Sequence, residues 1–210
     1  MSEQQLPPGL IIIPDVISEW VEDLLLRKVD KEKWDSWLKR RTQQYGYEYH
    51  YDTRRQGSEV PMPVFMRRVR LHIERTIRKN TGLEIPGTAH VADDETDDWT
   101  GKISSYFDQS ILNEYMPGQG IGKHTDQPNL FTDVIAILCL GSDITMVFEK
   151  GSEEMPVRMP KRSLVLMTGA ARYSWTHRID HVKSDKVNGI AVPRKRRVSM
   201  TFRRRKAVKN

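Results

Sequence analysis

Residues 197–203 read RVSMTFR, and their polar and apolar side chains alternate at the two-residue period of a β-strand. One strand face would carry Arg197, Ser199, Thr201 and Arg203, and the other Val198, Met200 and Phe202. The apolar face is suited to packing beneath helices, which directs both arginines into the interior of a β-structure. A buried guanidinium needs an anionic partner, because an unpaired charge out of water is strongly destabilising. The stretch therefore predicts a strand that lies under helices on one side and lines an anion-binding interior on the other.

The second half of the chain contains further short β segments separated by turn residues. They are expected at residues 111–115, 134–140, 144–149, 157–159, 164–167, 173–176 and 198–204. Seven short strands at this spacing are typical of an antiparallel sandwich or jelly roll. The predicted fold is mainly β with flanking helices (α+β), a double-stranded β-helix with the N-terminal helices packed on one sheet.

The first half of the chain carries two helical patterns. A β-like run at residues 10–13 precedes a helix that Asp15 or Ser18 could cap, and a second helical pattern covers residues 64–80, with Gly82 as a stop signal. We expect a single domain over residues 1–210. In it, residues 1–105 would supply helical support and a substrate lid, and residues 106–210 the jelly-roll core.

The composition restricts the class of protein and its partners. The chain has 210 residues, of which 38% are hydrophobic and 30% charged, as is ordinary for a folded soluble protein. Its single cysteine, Cys139, excludes an internal disulfide framework and a multi-cysteine zinc site. Without a signal-peptide pattern or a long apolar run, we expect an intracellular monomer, cytoplasmic or nuclear, with no membrane anchor. The net charge of +6 favours polyanionic partners such as nucleic acid.

The segment PGQGIGKHTD at residues 117–126 has the residue types of a metal site. Its glycines do not match the spacing of a phosphate-binding loop. His124 and Asp126 are two residues apart, so their side chains would share one side of an extended segment. A distant histidine, His177 or His181, would complete the two-histidine, one-carboxylate triad of non-haem Fe(II) oxygenases.

Anion-binding residues are predicted on two strands. ILNEY at residues 111–115 places Asn113 and Tyr115 on one face, and both can donate hydrogen bonds to carboxylates. A dicarboxylate with one end on the metal would satisfy Arg197 and Arg203 as well. The flanking basic residues, Arg194, Lys195, Arg204, Arg205 and Lys206, are interpreted instead as a basic tail or nuclear-import signal.

A tyrosine-rich segment, YGYEYHY at residues 45–51, has the period of a strand. Its tyrosines either pack on the core or form a platform on which a nucleic-acid base stacks. In the second case Tyr47, Tyr49, Tyr51 and the nearby Arg54 would bind substrate.

Taken together, these motifs resemble the AlkB family of Fe(II)- and 2-oxoglutarate-dependent dioxygenases. The resemblance rests on Asn113-x-Tyr115, His124-x-Asp126, the distant His177, and the pair Arg197 and Arg203. It is greatest to the branch that contains the eukaryotic tRNA wobble-uridine hydroxylase. It implies Fe(II) bound by His124, Asp126 and His177, with 2-oxoglutarate and O2 as cosubstrates. The implied 2-oxoglutarate site comprises Asn113, Tyr115, Arg197, Ser199 and Arg203.

The family's reaction couples decarboxylation of 2-oxoglutarate to hydroxylation of a C–H bond. From the resemblance we expect the chain to hydroxylate or demethylate an alkyl group on a nucleic-acid base, with RNA or tRNA favoured over DNA. The alternatives are a dioxygenase that acts on a protein side chain or small molecule, and a nucleic-acid-binding module without a working metal centre.

Overall fold

A computed structural model describes residues 4–50, 53, 55–85 and 105–207. The helices in this part of the chain are α1 (Glu19–Val29), α2 (Val64–Thr81) and α3 (Gly169–Tyr173). The strands are β1 (Leu10–Ile13), β2 (Thr42–His50), β3 (Arg55–Val60), β4 (Gln109–Tyr115), β5 (Ile121–His124), β6 (Ile135–Leu140), β7 (Ile144–Lys150), β8 (Glu153–Met159), β9 (Leu164–Met167), β10 (Thr176–Ile179), β11 (Ser184–Val187), β12 (Ile190–Pro193) and β13 (Arg197–Arg203).

Two antiparallel sheets form the framework that was predicted as a jelly roll. The larger sheet has the strand order β1-β9-β6-β13-β4-β2-β3, and the smaller has the order β5-β10-β7-β8. A separate hairpin joins β11 to β12. The inner faces of the two sheets share one apolar cluster, which includes Ile137 from β6 and Phe148 from β7. The jelly-roll prediction is therefore confirmed.

Strand β13 lies near the centre of the larger sheet, between β4 and β6. Val198, Met200 and Phe202 are fully buried against the helical side of the sheet, in the same cluster as residues of α1 and α2. The polar residues of β13 lie on the opposite face and line a cavity between the two sheets. The alternation in RVSMTFR therefore predicts which face of this strand packs against the helices and which face lines the cavity.

Helix α1 begins, and helix α2 begins and ends, close to where the sequence places them. Ser18 caps α1, and its hydroxyl accepts a hydrogen bond from the Val21 amide at 3.3 Å. Gly82 ends α2 in the left-handed conformation, at φ 64°. In the described part of the chain, no helix combines the length and apolar character that crossing a membrane requires.

The N-terminal half contributes more than the predicted helical support. Its strand β1 pairs with β9 at one edge of the larger sheet, while β2 pairs with β4 and β3 extends the other edge. The predicted division near residue 105 therefore does not separate helices from sheet.

One predicted strand was wrong, and several short strands were missed. Residues 173–176 are not a strand, because helix α3 runs to Tyr173 and β10 begins only at Thr176. Strand β5 has the sequence IGKH, whose single large apolar residue gives no alternation to detect. Strands β3, β11 and β12 were also missed, and they are held largely by pairing with neighbours.

Candidate metal and cosubstrate site

A cavity of about 500 Å³ lies between the two sheets and brings together most of the predicted site residues. The predicted residues that line it are Asn113, Tyr115, His124, Asp126, His177, Arg197, Ser199, Arg203 and Tyr49. The first eight come from β4, β5, β10 and β13 and from the segment that follows β5. Residues separated by up to 90 positions in the sequence thus converge on one space.

Three of these residues form a cluster with the geometry of a metal site. One ligand atom each of His124, Asp126 and His177 lies within 4.8 Å of the others. The two histidines are paired across β5 and β10, and their ring centroids are 4.3 Å apart. His181, the alternative third ligand, is not part of this cluster. The structure thus favours His177 of the two histidines that the sequence left open.

The protonation states of the cluster suit a cation. Burial opposes the ionisation of Asp126, but the nearby charge of Arg203, with the two histidines, holds the pKa of this carboxyl below its ordinary value. Burial, together with the neighbouring His124, lowers the pKa of His177 to about 3. At neutral pH the cluster therefore offers a carboxylate and a neutral imidazole, which are the forms that bind metal.

The chemistry of the cluster fits Fe(II). His177 Nε2 lies 3.9 Å from Asp126 Oδ2, which is too long for a hydrogen bond. Ligand atoms at right angles to each other, each about 2 Å from a shared ion, are about 3 Å apart, so these two atoms would move about 1 Å closer when an ion binds. Two imidazoles and one carboxylate are also the donor set of the facial-triad oxygenases. The residues present therefore fit the iron that the resemblance implies.

A buried arginine on α3 holds the backbone beside Asp126. The side chain of Arg172 is 1% exposed. It donates hydrogen bonds to the carbonyl oxygens of Asp126 at 2.5 Å and Thr132 at 3.3 Å. Further bonds at 3.4 Å reach the carbonyls of Gln127 and Phe131. Arg172 thus fixes the segment that carries the carboxylate, and it lies five residues before His177.

The opposite part of the cavity carries a buried charge without a carboxylate partner. Arg197 is 1% exposed, and its Nε and Nη1 atoms have no hydrogen-bond partner within the described residues. Its Nη2 atom is 3.4 Å from the Cys139 sulfur, and its guanidinium lies 5.5 Å from the centre of the Tyr115 ring. A desolvated guanidinium with unused donors is a site for a carboxylate. The dicarboxylate 2-oxoglutarate fits this requirement.

The other predicted anion-binding residues surround Arg197. In the pairing of β4 with β13, Tyr115 is opposite Arg197 and Asn113 is opposite Ser199. Burial raises the pKa of Tyr115, so its hydroxyl keeps its proton and can donate a hydrogen bond. Arg203 lies instead beside the metal cluster, where its Nη1 atom donates to Asp126 Oδ1 at 2.8 Å.

The tyrosines of β2 do not form one continuous platform. Gly46 has a φ of 81°, and the pairing of β2 with β3 shifts register between Tyr47 and Tyr49. Consequently Tyr45 packs in the helical core, whereas Tyr49 lines the cavity. Tyr47 lies beneath the guanidinium of Arg205. Tyr51 and Arg54 lie outside the described residues.

Two arginines in or beside the site were missed, and a third arginine, outside it, was misinterpreted. Arg194, assigned to a basic tail, is instead buried and makes a two-bond ion pair with Asp185 at 2.7 and 3.1 Å. Arg40 lines the cavity, and Arg172 supports the backbone beside Asp126. Their partners are distant in sequence, so no local pattern identifies them. Only in β13 did the alternation of polar and apolar residues indicate that arginines would be buried.

Comparisons with known proteins agree with this geometry. The model of the 2OG-Fe(II) oxygenase superfamily matches residues 11–203. In Macaca fascicularis, tRNA (carboxymethyluridine(34)-5-O)-methyltransferase ALKBH8 is 34% identical over 88% of this chain, which spans only 26% of that protein. In Arabidopsis thaliana, alkylated DNA repair protein ALKBH8 homolog is 32% identical, over 94% of this chain and 58% of its own length.

A solved structure supports the fold. The structure of OsALKBH1 superposes with a TM-score of 0.68 and 15% sequence identity, covering 96% of this chain and 99% of that one. The superfamily match extends over most of the chain, and the site contains a fitting ligand set for its metal and cosubstrate. The chain therefore belongs to the 2OG-Fe(II) oxygenase superfamily, with homologues of the ALKBH8 type, and is a dioxygenase that uses Fe(II), 2-oxoglutarate and O2.

Proposed function

We propose that this chain oxidises an alkyl group on a nucleic-acid base, with RNA favoured over DNA. His124, Asp126 and His177 would bind Fe(II), and Asn113, Tyr115, Arg197, Ser199 and Arg203 would hold 2-oxoglutarate. The observation that carries the proposal is one cavity that combines a three-ligand cluster with an unpaired, buried guanidinium. Either feature alone would be compatible with a structural role.

When bound, Fe(II) would let O2 oxidise 2-oxoglutarate and a substrate C–H bond together, with one oxygen atom entering each product. The chain's own residues prepare the site for it. Arg203 keeps Asp126 ionised, and burial keeps His177 neutral. Ile137 and Met146 are buried where they line the cavity, so they exclude water from the space beside the cluster.

The charges that line the cavity favour anions. Four lining residues are cationic, namely Arg40, Lys123, Arg197 and Arg203, and one is anionic, Asp126, which gives 4 − 1 = +3 before any metal is bound. A dianionic cosubstrate would reduce this charge. Of the four cations, Arg197 and Arg203 are buried, whereas Lys123 is exposed and forms an ion pair with Glu149.

The nucleic-acid part of the proposal rests on two observations. The relatives at 32–34% identity carry names that refer to tRNA and to alkylated DNA, and the tRNA relative is the more similar. Tyr49 lines the cavity, so an aromatic ring lies beside the space where a base would enter. Aromatic rings at such a position can stack on an unpaired base.

The direct test measures succinate formation with Fe(II), 2-oxoglutarate and O2, followed by mass spectrometry of nucleosides from total RNA and total DNA treated with the protein. We expect succinate from the wild type, none from Asp126→Ala, and a modified nucleoside whose level changes in RNA more than in DNA. Turnover of 2-oxoglutarate without a change in any nucleoside would retain the enzyme class and reject the proposed substrate.

A further inference from the structure

Two neighbouring arginines before β2 contact opposite faces of β4. Arg40 Nε donates to Asn113 Oδ1 at 2.9 Å, on the cavity face. Arg41 donates from Nε and Nη2 to the Glu114 carboxylate at 2.6 and 2.8 Å, on the face toward the helices. The Glu114 amide also donates to the Arg41 carbonyl, so the segment extends the pairing of β2 with β4. The strand alternation thus sends adjacent arginines to different surroundings.

The contact with Arg40 determines how the Asn113 amide is turned. A guanidinium only donates hydrogen bonds, so the carbonyl oxygen of the amide must face Arg40. The Asn113 Nδ2 group, which has two donors, is then turned away from Arg40. Asn113 is 8% exposed and is paired across the strands with Ser199, in the part of the cavity that holds Arg197. The donor end of the amide is therefore available to an anion there.

We propose that Arg40 is a positioning residue of the 2-oxoglutarate site, an inference that rests on the proposed function. It holds Asn113 in the one amide orientation that donates to a carboxylate. Without Arg40 the amide can rotate by half a turn, and its oxygen would then face the carboxylate and repel it. Arg40 also contributes positive charge near Tyr115, whose pKa it acts to lower against the effect of burial.

A simpler role for Arg40 would be attraction of the anion by its charge alone, and substitutions separate the two roles. Arg40→Met removes both charge and donor, whereas Arg40→Lys keeps the charge but loses the fixed Nε–H. Asn113→Ala removes the amide through which positioning would act. Arg41→Met is the matched control, because it removes a neighbouring arginine from the opposite face of β4.

The experiment titrates 2-oxoglutarate calorimetrically into Mn(II)-loaded protein and measures Mn(II) affinity and the melting temperature separately. We expect Arg40→Met to weaken 2-oxoglutarate binding about 10-fold, the usual effect of losing a hydrogen bond to a charged group. Arg40→Lys should weaken it at least about 3-fold, on the same basis. Mn(II) affinity without 2-oxoglutarate should not change. The double variant Arg40→Met/Asn113→Ala should bind no more weakly than Asn113→Ala alone.

Other outcomes would overturn the inference. Unchanged 2-oxoglutarate affinity in Arg40→Met, full affinity in Arg40→Lys, or additive losses in the double variant would each contradict positioning through Asn113. Arg41→Met should lower the melting temperature and leave 2-oxoglutarate affinity unchanged, and an equal loss of affinity there would make the effect nonspecific. If the wild type bound no 2-oxoglutarate, the proposed function would fail and the inference with it. Wild-type binding with unaffected Arg40 variants would reject the inference alone.

Discussion

The two ends of the cavity, the metal end and the arginine end, differ in how their charges are compensated. At the metal end, Asp126 accepts a hydrogen bond from Arg203 at 2.8 Å, and Arg172 holds its backbone. At the arginine end, Arg197 is buried, as Arg203 and Arg172 are, but it has no carboxylate partner within the described residues. The Asp126 carboxylate of one end is paired within the chain, whereas the Arg197 guanidinium of the other end has no carboxylate partner among the described residues.

This difference assigns separate roles to the two ends. The metal end is organised by protein contacts before any ligand binds, so its geometry should be present in the free protein. The arginine end keeps a desolvated charge that destabilises the free fold until an anion arrives. Binding of a dicarboxylate should therefore stabilise the protein more than its area of contact would suggest.

The largest effect is expected from breaking the metal end. His177→Ala removes a buried ligand that no neighbour can replace, so we expect Mn(II) affinity and 2-oxoglutarate turnover to fall by more than about 100-fold. Metal titration and succinate assays measure this. His181→Ala is the control, since His181 lies outside the cluster. Equal losses in both variants would contradict the assignment of His177 as a metal ligand.

The next largest effect is expected at Arg197, and it distinguishes this arginine from Arg203. Arg197→Met should weaken 2-oxoglutarate binding by about 100-fold, equivalent to about 3 kcal/mol, because it removes the partner of a buried carboxylate. The same variant should melt at the same or a higher temperature than the wild type when no ligand is present. Arg203→Met should instead lower the melting temperature, because it leaves Asp126 unpaired.

Thermal shift with and without 2-oxoglutarate checks the Arg197 prediction. At 100 times the Kd, ligand should stabilise the wild type by about 2.7 kcal/mol, and the variant at that concentration by much less. Arg196→Met serves as the control, because Arg196 bonds Asp30 and Glu114 on the other side of the strand. A strongly destabilised ligand-free Arg197→Met protein would contradict the idea of an uncompensated charge.

A smaller effect is expected from loosening the support of Asp126. Arg172→Lys keeps the charge but cannot reproduce donation to carbonyls of Asp126, Thr132 and Phe131, so Mn(II) affinity should fall about 10-fold. Tyr173→Phe is the neighbouring control, since it removes only one bond, to Asp133. Unchanged metal affinity in Arg172→Lys would mean that Asp126 is held by other contacts.

The smallest effect is expected at Ser199. Ser199→Ala removes one hydroxyl from the arginine end, and we expect a loss of 2-oxoglutarate affinity of about 5-fold, or about 1 kcal/mol. Calorimetric titration measures it, with Thr201→Val on the same strand face for comparison. A loss as large as that of Arg197→Met would make Ser199, rather than the arginine, the principal contact.

Strict alternation made the larger sheet's central strand predictable, together with the surroundings of its two faces. In RVSMTFR each residue type matches its surroundings, so both the helical face and the cavity face could be inferred. The pair His124 and Asp126 was likewise readable from spacing. The choice of His177 over His181 needed the resemblance at first, and the pairing of β5 with β10 now provides a physical reason for it.

Failures occurred where long-range contacts or backbone irregularities override local pattern. The tyrosine period indicated one strand face, either packed on the core or forming a platform, but a Cβ at Gly46 would lie 2.0 Å from the Asp108 carbonyl oxygen, and the register of β2 shifts between Tyr47 and Tyr49. Arg194 was interpreted as part of a basic tail, whereas the fold places the Asp185 carboxylate beside it. Arg40 bonds a residue 73 positions away, which no sequence window can reveal.

The most direct test of the two-ended site is an anaerobic titration of Fe(II), followed by 2-oxoglutarate, into the ligand-free protein. We expect one Fe(II) per chain, one 2-oxoglutarate that binds tightly only after the metal, loss of both in His177→Ala, and loss of 2-oxoglutarate alone in Arg197→Met. A wild-type protein that binds neither ligand, or an Arg197→Met variant that binds 2-oxoglutarate normally, would contradict it.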